Sequence, residues 1–129
     1  MRRTLTLDLS LAATTTRYMG IPDAGSLKWR VRDIRLISDA SISTHASNYY
    51  TIAIAGSDGT TAIGSWTANS TGGTALTAGV AHQISPAAST GKAGELISSS
   101  GQTLKVTGTK TGAPSDLTGQ LLVELEAVN

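Results

Sequence analysis

The first clear pattern is a strict alternation. Leu5, Leu7 and Leu9 share one parity, and Thr4, Thr6 and Asp8 take the other. A period of two places the two sets on opposite faces of a half-buried strand. Residues 21–26, Ile-Pro-Asp-Ala-Gly-Ser, then read as a turn, because Pro presets φ and Gly accepts positive φ. Residues 27–37 form the strongest strand signal. Leu27, Trp29 and Val31 share one face, but Ile34 and Leu36 have the opposite parity. A β-bulge near Arg32-Asp33 would return both sets to one side by adding a single residue. The other face then carries Lys28, Arg30, Arg32 and Arg35.

Residues 38–47 are polar and loop-like. Residues 48–55 alternate again, with Tyr50, Ile52 and Ile54 on one face and Tyr49, Thr51 and Ala53 on the other. Gly56-Ser57-Asp58-Gly59 is a hairpin signal, and residues 60–68 return as its partner strand through Trp66. A turn follows at residues 69–73, and weaker extended segments at residues 74–84. Residues 85–94 read as a loop, 95–98 and 102–107 as short strands, and 110–118 as a loop around Pro114. Leu121, Val123, Leu125 and Ala127 close the chain on one face, against Glu124 and Glu126. Turn signals separate about eight strands, the pattern of a β-sandwich, jelly roll or small barrel. The expected fold is all-β, a single β-sandwich of jelly-roll type spanning residues 1–129 as one domain. Periodicity does not reveal the order of strands in its sheets.

Composition sharpens this picture. Ser, Thr and Gly exceed a third of the 129 residues, Phe is absent, and charged residues make up 15%, below the roughly 25% of an average protein. Such usage disfavours helices and suits strands joined by turns. Scarce charge also suits a surface that faces other protein. Without cysteine, disulfides, zinc-thiolate sites and thiol catalysis are excluded. The net charge of +1 leaves little long-range field, so steering onto nucleic acid would need a local patch. No apolar run approaches a membrane span. Asp8 and Ser10 interrupt the N-terminal apolar run, against a secretory signal. The chain is expected to stay where it is made until it assembles with something.

Candidate chemistry is sparse. Lys28, Arg30 and Arg32 stand at i, i+2 and i+4, with Arg35 nearby. This stripe suits phosphates or an acidic protein surface, and equally an ordinary solvated sheet face. No aromatics interleave it, which disfavours single-stranded nucleic acid. His45 and His82 lack metal-ligand spacing, and Asp58-Gly59 and Asp39 lack the rhythm of a calcium loop. There is no Gly-x-Ser-x-Gly elbow and no paired-carboxylate site. Neither a catalytic residue nor a metal or cofactor site is assigned, and the protein is not expected to be an enzyme. Trp29, Trp66 and Tyr50 fit the core by parity. Tyr49 and Tyr18 are the exposed aromatics that could anchor a sugar or a subunit.

Residues 29–36, Trp-Arg-Val-Arg-Asp-Ile-Arg-Leu, then Asp39-Ala40, then residues 46–52, Ala-Ser-Asn-Tyr-Tyr-Thr-Ile, resemble a pattern in small tailed-phage virion proteins. There an apolar strand, an Ala/Ser/Thr loop and an Asn-Tyr-x-Thr strand precede a glycine-rich hairpin. The likeness covers about residues 27–80 and encodes strand-loop-strand more than a chemistry. It is to capsid decoration (cement) and head-fibre proteins with a β-sandwich or jelly-roll body. The resemblance implies a homotrimer at local three-fold axes on the capsid exterior, bound to the major capsid protein and stabilising the shell. Lys28, Arg30, Arg32, Arg35, Tyr49 and Tyr18 are then the candidate capsid or subunit contacts. Three other roles fit the pattern: a carbohydrate- or receptor-binding module of a virion, a tail, connector or baseplate β-module, and a small nucleic-acid-binding barrel using the four basic residues.

Overall fold

A computed structural model of the chain describes residues 2–21, 28–56, 62–84, 95–98 and 103–128. Among the described residues nine strands appear, in chain order β1 (Arg2–Leu11), β2 (Thr15–Gly20), β3 (Lys28–Ser38), β4 (Tyr49–Ala55), β5 (Ala62–Thr67), β6 (Ala81–Ile84), β7 (Glu95–Ser98), β8 (Thr103–Thr111) and β9 (Leu117–Val128). The first sheet runs β1-β9-β3-β6, and β7 also pairs with β3; the second runs β2-β8-β4-β5. All pairings between named strands are antiparallel. Along the outer edge of β3, β7 lies against residues 28–30 and β6 against residues 34–37. The nine strands therefore fill eight places, four in each sheet. The chain crosses between the sheets after β1, β2, β3, β5, β7 and β8, while β4 and β5 pair within the second sheet and β6 and β7 share an edge of the first; the two sheet orders are those of a jelly roll.

The core lies between the sheets. Leu7, Leu9 and Leu11 of β1, Trp29, Val31, Ile34 and Leu36 of β3, and Leu121, Val123 and Leu125 of β9 face inward from the first sheet. Met19, Tyr50, Ile52, Ile54, Trp66, Leu104 and Val106 meet them from the second. Leu, Ile and Val carry most of this core, as a chain without Phe requires.

The bulge expected in β3 is present. Val31 faces Leu125 and Asp33 faces Glu124 on β9, so Arg32 is the extra residue. Trp29 and Val31 then share the core face with Ile34 and Leu36, all at most 2% exposed. A second bulge, not signalled by alternation, lies in β5: Ile54 faces Gly64, Ala55 faces Ala62, and Ile63 is inserted between them. Ile63 and Gly64 are consequently buried in succession.

Other elements differ from expectation. No alternation marks β2, whose Thr15, Thr16, Arg17 and Tyr18 are polar; pairing with β8 holds it extended. Strand β8 continues to Thr111, so the loop around Pro114 shrinks to residues 112–116. The expected turn at residues 22–26, the hairpin tip at 57–59 and the loop at 85–94 lie outside the described residues.

Candidate functional site

The basic stripe sits on the outer face of the first sheet, but acids interleave it. Arg32 Nε lies 3.0 Å from Glu126, and Arg2 lies 2.9 Å from Glu124 and 3.8 Å from Glu126. Arg35 Nε donates to Asp33 at 2.7 Å, and Gln83 donates to the other Asp33 oxygen at 3.0 Å. Burial pushes the Asp33 carboxyl up, but hydrogen bonds from Arg35 and Gln83, the Arg35 charge and the Ile34 amide outweigh it and hold Asp33 below its ordinary value. The expected basic patch is therefore a mixed-charge face. The reason is strand order: β9 inserts between β1 and β3 and lays Glu124 and Glu126 beside the arginines. Lys28 begins β3, and its side chain lies outside the described residues.

The second sheet presents a different outer face. Thr16 pairs with Thr107, Thr107 with Ala53, and Ala53 with Ser65; Thr109, Thr51 and Thr67 form a neighbouring row. The Thr51 and Thr67 hydroxyls are 2.8 Å apart. Among the described residues Lys105 is the single charge at an outward position of this sheet. Tyr18 stands beside it across the β2–β8 pair and is 60% exposed. Tyr18 and the stripe thus lie on opposite sides of the sandwich.

Tyr49 is half-buried and packs against the core rather than standing exposed. The chain turns at its side: Asn48 Oδ1 accepts the Ala113 amide at 2.8 Å, drawing residues 45–48 and 112–116 together. Gly112 completes the approach with φ +68°, and a Cβ there would meet the Ser47 carbonyl and the Asn48 side chain.

The loops at this end enclose a cleft of about 330 Å³. Its walls are Ser38, residues 40–45 and residues 113–116, and Tyr50, Trp66 and Leu117 contribute the floor. The 38–48 loop is tied down along its length. Ile42 and Leu76 exchange backbone bonds at 2.8 and 2.9 Å, and His45 N donates to Ala68 O at 2.9 Å. His45 Nδ1 accepts the amides of Ser47 and Asn48 at 3.1 and 3.0 Å. That role places the proton of the neutral ring on Nε2. Trp66 Nε1 donates to Thr74 O at 2.9 Å. The Tyr50 hydroxyl, by contrast, is buried without a hydrogen-bond partner. Burial and the nearby Asp116 charge both raise its pKa.

The sequence reading assigns Tyr50 to the core and does not identify the cleft. One signal was available: a tyrosine at an inward position brings a hydroxyl that needs a partner. The cleft itself joins residues too distant in the chain for periodicity to connect. Among the described residues no group of three His, Asp or Glu side chains converges, and His45 and His82 lie on separate elements. Comparison with known proteins finds no match among family models, curated sequences or solved structures.

Proposed function

We propose that this protein is a structural virion component that binds the outside of a phage capsid and stabilises it, as a decoration protein. The observation that carries the reading is the contrast between the two outer faces. The first sheet's face is laced with paired charges; the second presents threonine, serine and alanine with Lys105 as its charge. Interface centres are depleted of charge, because desolvating an ion costs far more than desolvating a methyl or a hydroxyl that finds a hydrogen-bond partner. The second sheet's outer face is therefore the docking surface, with the major capsid protein as its partner. The jelly-roll strand order also supports the reading, since that is the body the resemblance implies. A protein that binds the assembled shell alone stabilises it by mass action, by about 2.7 kcal/mol per site at a hundredfold excess over Kd.

Expanded, undecorated heads of the same phage provide the test. The protein should bind them stoichiometrically and raise their disruption temperature. A Thr51→Glu/Thr107→Glu double variant should lose binding, and Arg32→Gln/Arg35→Gln should retain it. Absence of binding to such heads overturns the proposal; loss with the arginine variant alone moves the contact to the first sheet. Light-scattering molar mass reads the solution state, expected to be a trimer.

A further inference from the structure

The first sheet ends in an open edge. Strand β1 pairs with β9 along its full 10 residues without a bulge, and among the described residues no strand pairs with its other side. The other edges are short or interrupted. Strand β5 carries its bulge, β2 has 6 residues, and β6 and β7 divide the outer edge of β3. Natural sheets blunt a long, regular edge with proline, lysine or a bulge, because its bare N–H and C=O groups pair readily with another strand. Residues 2–11 contain neither proline nor lysine. We propose that β1 pairs antiparallel with β1 of a second copy about a two-fold axis at Leu5, joining the two first sheets into one.

The strand's own sequence selects this partner and this register. A two-fold axis normal to the sheet maps each face onto itself, so opposed residues must share parity. Residues 2–8 read Arg-Arg-Thr-Leu-Thr-Leu-Asp, with Leu5 at the centre. Turned end for end about Leu5, the segment sets Arg2 opposite Asp8 of the second copy, Thr4 opposite Thr6, and Leu5 opposite itself. Opposite charges and threonine pairs are favourable cross-strand neighbours. Moving the axis to Thr4 or Thr6 sets Arg2 opposite Thr6 or Ser10 and loses both charge pairs. Arg2, Thr4, Thr6 and Asp8 are all exposed. Gln120 binds one Asp8 oxygen at 3.2 Å and leaves the other open. At the Arg2 end, Arg2, Arg30 and Arg32 outnumber Glu124 and Glu126, which leaves positive charge for the incoming carboxylate. Leu5 packs against the core but is half-buried, and the second Leu5 would cover it. Seven residues a side fall well short of the roughly 20–30 of a stable interface, so the pairing is weak and grows with concentration.

The inference is independent of capsid docking, because it uses an edge of the first sheet and leaves the outer face of the second free. A two-fold contact cannot close a trimer, so the trimer expected in dilute solution is held elsewhere. Sedimentation velocity of the full chain from about 10 μM to about 1 mM covers the range of a weak contact. The mean mass should rise twofold or more across it. Asp8→Lys turns both attractions into repulsions and should weaken association at least about tenfold, with thermal unfolding still cooperative. Arg2→Glu alone should weaken it too. Mixed in equal amounts, the two variants should associate again, because each then meets its complement. The chain has no cysteine, which permits a direct probe. Leu5→Cys should form a disulfide-linked pair under mild oxidation, and Ser10→Cys, exposed but beyond the paired segment, should not. The proposal is overturned if the mass stays constant over that range, if Asp8→Lys associates like the parent, or if Ser10→Cys cross-links as readily as Leu5→Cys.

Discussion

At the scale of single residues, Tyr50 combines an apolar gain with a polar cost. Its ring fills the core and its hydroxyl has no partner. Removing that hydroxyl should therefore stabilise the free protein: Tyr50→Phe is expected to raise unfolding stability by about 1 kcal/mol, read from the urea midpoint. The pH dependence follows from the raised pKa. The folded protein holds the phenol proton more tightly than the unfolded chain does. The contribution is complete below the ordinary tyrosine value of 10.0 and is lost as pH rises through the folded value. Tyr50→Phe should resist alkaline unfolding better than the parent. Asp33 behaves oppositely, because its pKa is lowered. Its contribution is present above the ordinary value of 3.8 and is lost as pH falls through the folded value. Asp33→Asn should cost about 0.5–1 kcal/mol at neutral pH, and the difference from the parent should vanish in acid.

At the scale of elements, the bulges in β3 and β5 explain how an irregular pattern builds a regular core. The parity break within β3 is visible in the sequence, because Trp29 and Val31 clash in phase with Ile34 and Leu36. Large apolar residues on both sides of the break demanded a correction. The β5 bulge left no such mark, since Ile63 is followed by Gly64, which has no side chain to report its face. Strand β2 was equally silent: an edge strand with an exposed outer face needs little apolar alternation. Deleting Arg32 should remove the bulge while leaving Val31 opposite Leu125 and Asp33 opposite Glu124, so Trp29 and Val31 keep the core face. A cooperative thermal transition should be retained; its loss would show that the bulge itself, and not only the phase it restores, is required. Arg32→Ala keeps the bulge and should lose only the Glu126 pair, about 0.5 kcal/mol.

At the scale of the whole molecule, strand order decides what each surface can do. Inserting β9 between β1 and β3 neutralises the arginine stripe, and inserting β8 between β2 and β4 builds the threonine rows. Docking through threonine rows has little Coulombic component. Binding to heads should thus change less than threefold between about 0.05 and 0.5 M NaCl, a range over which the Debye length shrinks severalfold. Docking through the arginines would weaken steeply over that range, and sedimentation of protein with heads distinguishes the two.

What the sequence determined by itself was the all-β class, the inward and outward residues of the strong strands, and the β3 bulge. These follow from local periodicity, because a strand's two faces are written two residues apart. Strand order, the pairing of Arg32 with Glu126, and the cleft over Tyr50 were decided only in the tertiary structure. They join residues far apart in the chain, such as Asn48 with Ala113. No local pattern encodes which strands become neighbours when two sheets close on one core.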